Sequence, residues 1–187
     1  MSVLKKQIDT ASWLRLAVWF ALLFAFSSWA FGMDSPWTRA LEAGQGALPE
    51  TQAGIPPIEP QRSLALLEGS TFDYLLWQAL DIPYAIMNLM VASVAMGLGL
   101  KALRLGASPL RFLLALPVIY VGAELVENAM VASFASGLIA PSEPVVLLQQ
   151  FATTVKFATG MPALGIGAIG VVIAALAALI NRLRKPA

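Results

Sequence analysis

Four stretches of the chain, residues 11–31, 72–100, 109–138 and 144–181, are dominated by apolar side chains. Each is long enough to cross a bilayer, for which a helix needs about 20 mainly apolar residues. Within hydrocarbon the backbone N–H and C=O groups must be satisfied inside the segment, so such runs are expected to be helical. The chain has 187 residues, 58% hydrophobic and only 12% charged; a soluble domain carries about 25% charged residues. Its mean hydropathy is +0.75. The four runs occupy most of the length and leave no room for a large soluble domain. The expected fold is all-α, an integral membrane four-helix bundle forming a single transmembrane domain over residues 1–187. A long extracytoplasmic connector, residues 32–71, joins the first two spans.

Local signals refine the boundaries. Trp13 and Trp29 bracket the first run as interfacial aromatics do, and Arg15 is close enough to its start to snorkel toward headgroups. This run exceeds the roughly 7–15 apolar residues of a signal peptide and therefore reads as an anchor. The connector contains Gly44, Gly46, Pro49, Gly54, Pro56, Pro57 and Pro60, which predict turns and extended chain. Residues 44–60 are expected to be exposed and weakly ordered, and residues 61–68 to form a short helix at the membrane surface. Ser108-Pro109 and Ser142-Glu143-Pro144 combine an N-cap with a proline in the first helical turn, so they mark the starts of the third and fourth spans. Gly160-Met161-Pro162 predicts a break in the fourth.

The basic residues set an orientation. Lys5, Lys6 and Arg15 precede or open the first span, Lys101, Arg104 and Arg111 lie between the second and third, and Arg182, Arg184 and Lys185 follow the fourth. With four spans all three groups fall on one side. The other side holds Arg39 and Arg62 against Asp34, Glu42, Glu50, Glu59 and Glu68, with Glu143 in the last loop. Excess positive charge marks the cytoplasmic face, so both termini are expected in the cytoplasm.

Four charged residues, Asp81, Glu124, Glu127 and Lys156, lie within the apolar runs away from their first few residues. An Asp or Lys at the bilayer centre costs about 2.5–3.5 kcal/mol on the insertion scale. Four such groups facing lipid would cost on the order of 10 kcal/mol. Their spacing offers an alternative, because each lies on a polar stripe of helical period. One stripe is Trp77, Asp81, Tyr84 and Asn88; a second is Tyr120, Glu124, Glu127 and Asn128; a third is Gln149, Thr153, Lys156 and Gly160. At 1.5 Å per residue from the cytoplasmic ends, Glu124, Glu127 and Asp81 sit at about 18, 22 and 28 Å. All three therefore fall in the outer half of a core about 30 Å thick. The expectation is one cluster beneath the outer surface, built from Asp81, Tyr84, Asn88, Tyr120, Glu124, Glu127, Asn128 and Lys156.

Several chemistries are set aside. The chain contains neither cysteine nor histidine, which excludes disulfides, thiol redox chemistry, iron–sulfur clusters and histidine-ligated haem, zinc or copper. Ser27 and Ser28 have no histidine to activate them. Residues 165–170 spell GxGxxG, but within an apolar helix and with no strand before them, so no dinucleotide site is expected. Gly167, Gly170, Ala174 and Ala178 read instead as small residues that let helices approach, and Met87, Met90 and Met96 as packing. A magnesium, manganese or calcium site from Asp81, Glu124 and Glu127 is disfavoured by the lysine facing the same space. No metal and no cofactor are expected. No basic stripe suggests nucleic acid.

The strings Asp81-Ile82-Pro83-Tyr84 and Glu124-Leu125-Val126-Glu127-Asn128, followed by Lys156, resemble a group of small uncharacterised bacterial four-helix membrane proteins. Their pattern is an Asp before a proline-tyrosine span, an acidic-x-x-Glu-Asn motif and a later Lys. The likeness covers roughly residues 71–156, and Glu124 stands where that pattern has Asp. It implies a multi-pass protein of the bacterial inner membrane in which these polar positions act together, and it implies no activity. The four-span plan with intramembrane acids is also similar in shape to sterol-isomerase-like and sigma-2-like proteins, without a shared motif string.

Three functions fit these residues. The cluster, with Trp77, Tyr84 and Tyr120 beside it, would bind or carry a lipid-like or amphipathic molecule. An acid among Asp81, Glu124 and Glu127 could instead transfer a proton to an isoprenoid or sterol-like substrate. In the third reading the chain is an accessory or structural subunit of a larger membrane complex, and the cluster only fixes helix packing or holds a partner subunit.

Overall fold

The computed structural model describes residues 3–46, 48, 62, 64–67 and 69–184, and among these it contains no strand. Helix α1 (Val3–Thr10) precedes α2 (Trp13–Ala30) and a short α3 (Pro36–Ala43). The long α4 (Thr71–Ala102) follows, then a 3-10 segment (Pro109–Leu114) leading directly into α5 (Ala115–Ala135), and finally α6 (Glu143–Leu183). Four of these stretches, α2, α4, Pro109–Ala135 and α6, are long and apolar enough to cross a membrane.

Serine caps open several of the helices. Ser12 Oγ accepts a hydrogen bond from the Arg15 amide at 3.3 Å, Ser35 Oγ from Thr38 at 3.2 Å, and Ser108 Oγ from Leu110 at 3.3 Å. Each satisfies one of the donors that a helix start leaves free. The third span changes from 3-10 to α geometry at Ala115, just ahead of Pro117. A proline is well placed there, because first-turn amides have no acceptor inside the helix.

Packing centres on α4. It contacts α2, α3, α5 and α6, while α5 and α6 also pack on each other. Within their most apolar windows, 67% of the residues of α4 are buried against 6% of those of α2. The outer face of α2, with Leu14, Val18, Phe20, Leu22 and Phe24 exposed, is a surface suited to hydrocarbon. The tightest approach joins α4 to α6. A Cβ on Gly99 would stand 2.5 Å from the Gly170 Cα, and one on Gly170 would stand 2.7 Å from the Ala95 carbonyl oxygen. The expected role of Gly167, Gly170 and Ala174 as contact residues holds, since all three are buried. Ala178 is exposed.

The basic segments gather at one end of the helices. Lys101 Nζ donates to the backbone oxygens of Asp9 at 3.1 Å and Ala11 at 3.3 Å. Arg104 and Arg184 border one cavity together with Ser12 and Trp13. The start of α2, the end of α4 and the end of α6 therefore sit together.

Two expectations need correction. Helix α6 is not broken at Gly160-Met161-Pro162; it runs without interruption from Glu143 to Leu183. Proline removes one hydrogen bond, but packing on either side fixes the course of the helix. Gly160 lies against the Tyr120 ring, and Ala163 and Gly167 are buried beyond the proline. The first part of the connector is likewise not extended chain. It folds as α3, which packs on α4 and, through Ala40, joins a buried cluster with Leu48, Leu67, Tyr74 and Val131. Arg39 clamps it there with an ion pair to Asp73 at 2.6 Å. Of the segment expected to be exposed and weakly ordered, residues 44–46 form a turn in which Gln45 and Gly46 are exposed and Gly44 is buried, Leu48 is buried, and residues 47 and 49–60 lie outside the described residues. Of the helix expected over residues 61–68, residues 62 and 64–66 are helical, and 61, 63 and 68 lie outside the described residues.

The glycine contact makes a measurable demand. Gly99→Ala should destabilise the protein in detergent by about 1–3 kcal/mol through overpacking. Gly165, whose added Cβ would meet nothing within 4 Å, should accept alanine with unchanged or increased stability, because alanine is the better helix former. Thermal unfolding of both variants checks this, and equal responses would contradict the close crossing.

Candidate functional site

Three helices deliver the polar side chains to one place. From α6, the Lys156 ammonium donates to Glu124 Oε1 at 3.1 Å and to Glu127 Oε2, both on α5. The other Glu127 oxygen accepts from the Thr153 hydroxyl, which in turn accepts from Gln149 Nε2 at 2.8 Å. Glu127, Thr153 and Gln149 are completely buried. From α5 to α4, Asn128 Nδ2 donates to Asp81 Oδ2 at 3.0 Å. The two halves meet where Glu124 approaches Asp81, and Tyr120 stands beside the same Glu124 carboxyl. Gly160 leaves the space that the Tyr120 ring occupies, since a Cβ there would come within 2.7 Å of it.

The network is not closed. Among the described residues, Glu124 Oε2 and Asn128 Oδ1 are buried without a hydrogen-bond partner, and a buried acceptor left without a donor costs about 1–3 kcal/mol. Acids also outnumber bases. Lys156 neutralises charge at Glu124 and Glu127, while Asp81 accepts from the neutral Asn128 amide and lies beside the Glu124 carboxyl. Among the described residues, no three acidic, histidine or cysteine side chains are arranged to hold a metal ion.

Beside Asp81, Glu124 and Lys156 opens a cavity of about 290 Å³. Aromatic rings wall it: Phe31 at the end of α2, Trp37 on α3, Trp77 and Tyr84 on α4, and Tyr120 on α5. Trp37 and Trp77 lie 4.8 Å apart between ring centroids, and Phe31 stands 5.1 Å from Trp77 and 5.3 Å from Tyr84. Phe31 is 39% exposed and Phe157 40%, and both line the cavity.

The sequence-derived set is mostly brought together. Asp81, Glu124, Glu127, Asn128 and Lys156 form the connected network, and Tyr84 and Tyr120 line its cavity. Asn88 does not join them; it is buried and donates to the Tyr84 carbonyl of its own helix at 3.1 Å. Thr153 and Gln149 belong to the network, and their place on the Lys156 stripe was the available signal. Phe31 and Trp37 were not anticipated. The clue was Ser35-Pro36, which repeats the helix-start signal of Ser108-Pro109.

Comparisons with protein-family models, with curated proteins and with solved structures find no match to this chain.

The ion pairs can be tested by a mutant cycle. Lys156→Met strands two buried carboxyls and should cost about 3–5 kcal/mol. Adding Glu127→Gln removes the more deeply buried charge with it and should restore much of that loss. Unfolding in detergent measures the cycle; strictly additive losses would mean that the two side chains do not meet.

Proposed function

We propose that this chain is a multi-pass protein of a bacterial inner membrane, a four-helix bundle with both termini in the cytoplasm. Its aromatic cavity binds or carries a lipid-like or amphipathic small molecule. The observation that carries this reading is the cavity's two-sided chemistry: mainly aromatic walls beside the polar groups Asp81, Glu124 and Lys156, with Glu124 Oε2 lacking a hydrogen-bond partner among the described residues. A polar head would meet these polar groups, and an apolar tail would run past the exposed Phe31 and Phe157 into the bilayer. Ligand pockets commonly combine mostly apolar lining with a few placed polar groups. Intramembrane ionisable residues point to function by default.

A structural reading also has an observation in its favour. Glu127 has both oxygens paired and no exposure, as expected of a group that fixes helix register. The two readings divide the network, with Glu127, Thr153 and Gln149 holding the helices and Asp81 and Glu124 facing the ligand.

Mild extraction followed by mass spectrometry of the intact protein should find a lipid-like molecule bound at about one per chain. Trp37→Ala should lose it with the fold retained, whereas a folded protein that never carries one contradicts the binding role. The placement of basic residues requires reporter fusions at the C-terminus and near Gly46 to report opposite sides, the C-terminal one cytoplasmic. A C-terminal reporter on the far side would contradict the topology.

A further inference from the structure

We propose that the basic end of the bundle carries a second site, which holds an anionic phospholipid with its phosphate among Lys101, Arg104 and Arg184 and an acyl chain in the groove between α2, α4 and α6. This site is separate from the aromatic cavity and does not rest on the ligand-binding reading above.

Two cavities lie end to end along the same three helices. The inner one, about 480 Å³, is bounded by Leu16 and Phe20 on α2, Val91 on α4, and Leu164 and Val171 on α6, and no charged side chain lines it. Its volume is in the range of ligand pockets, and its wall suits an alkyl chain. The outer one, about 730 Å³, is bounded by Lys101, Arg104 and Arg184, with Ser12 and Asn181 as neutral hydrogen-bonding groups. Trp13 lines both, and Ala95 and Val171 of the inner cavity are followed one turn later by Leu98 and Ala174 of the outer. A tryptophan at such a junction belongs at headgroup level. A molecule that fills both cavities is apolar along its length and anionic at the end.

The charge at that end has one sign. No acidic side chain lines the outer cavity. Lys101 is tied to the backbone oxygens of Asp9 and Ala11, and the Asp9 carboxylate forms no ion pair among the described residues. Basic side chains near a helix C-terminus often cap its last carbonyls, as Lys101 does at the end of α1. The arginines do not: neither the Arg104 nor the Arg184 guanidinium has a hydrogen bond or ion pair among the described residues. Arg104 is also held at φ 58°, the left-handed region where glycine is the usual residue after a helix. Glycine there would be unstrained, so what the arginine contributes lies in its side chain. Basic pockets between transmembrane helices bind anionic head groups, and a guanidinium matches phosphate with paired donors. A zwitterionic head would bring its own ammonium to three cations, and a detached phosphate would leave the groove unfilled.

The test titrates the full chain in dodecyl maltoside micelles with dioleoylphosphatidylglycerol, dioleoylphosphatidylcholine and glycerol phosphate, and reads the bound molecules by native mass spectrometry. The anionic lipid should bind at about one per chain and about tenfold or more tighter than the zwitterionic one, with glycerol phosphate weakest. Arg104→Gly and, separately, Arg184→Gln should each weaken the anionic lipid by about fivefold and leave the zwitterionic one nearly unchanged. Arg104→Gly also relaxes the turn, so its thermal midpoint should be unchanged or higher, which separates lost binding from lost folding. Ala168→Phe, which fills the inner cavity from an exposed position, should weaken both lipids. Equal binding of the two lipids would overturn the proposal, as would a preference that survives both arginine substitutions together. Glycerol phosphate binding as tightly as the anionic lipid, or an Ala168→Phe variant that binds both lipids normally, would remove the acyl groove and overturn it too. A loss with Trp37→Ala as large as with Arg104→Gly would place the lipid in the aromatic cavity instead.

Discussion

The ammonium of Lys156, held between Glu124 and Glu127 where α5 meets α6, constrains everything around it. A lone charge in this apolar setting would be strongly unfavourable, and the pair is tolerable only when geometry and additional hydrogen bonds are good. Thr153 and Gln149 supply those bonds on the Glu127 side. The α5–α6 register is thereby fixed, because sliding either helix by one turn would separate the charges. Breaking such a pair by removing one partner leaves an uncompensated buried charge.

That register is compatible with the rest of the bundle because α4 and α6 can touch backbone to backbone. Gly99 and Gly170 remove the side chains that would hold the helices apart, and this crossing lies toward the basic end. Toward the other end, Asp81 on α4 reaches Asn128 and Glu124 on α5. The close crossing and the polar network thus share one rigid set of three helices. Helices α2 and α3 lie against that set and complete the cavity with Phe31 and Trp37. One helical frame therefore supports two kinds of wall, a fixed polar floor and aromatic sides from more peripheral elements.

Much of this was legible in the residues. The apolar runs at 72–100 and 144–181 match Thr71–Ala102 and Glu143–Leu183 closely, because hydrophobic length dominates in helices of this type. The stripes carrying Asp81, Glu124, Glu127 and Lys156 were readable because helical periodicity decides which side chains share a face. The course of α6 was not: the break expected at Pro162 followed a local rule that packing at Gly160, Ala163 and Gly167 overrides. Nor were the aromatic walls at Phe31 and Trp37, since they depend on α3 folding back onto α4, a tertiary contact in which Ala40 is buried and Arg39 meets Asp73. Asn88 shows the converse limit, sharing a stripe with Asp81 yet satisfying itself within its own turn.

The most direct measurement of the central contact is magic-angle-spinning NMR of the protein in bilayers. Lysine would be labelled with nitrogen-15 at Nζ and glutamate with carbon-13 at the carboxyl, and the dipolar coupling between them recorded. Lys156 is bonded to both Glu124 and Glu127, so a coupling of hydrogen-bond range should appear, vanish in Lys156→Met and weaken in Glu127→Gln. A wild-type spectrum with no such coupling, or a coupling that survives Lys156→Met, would contradict a lysine bridging two acids inside the helix bundle.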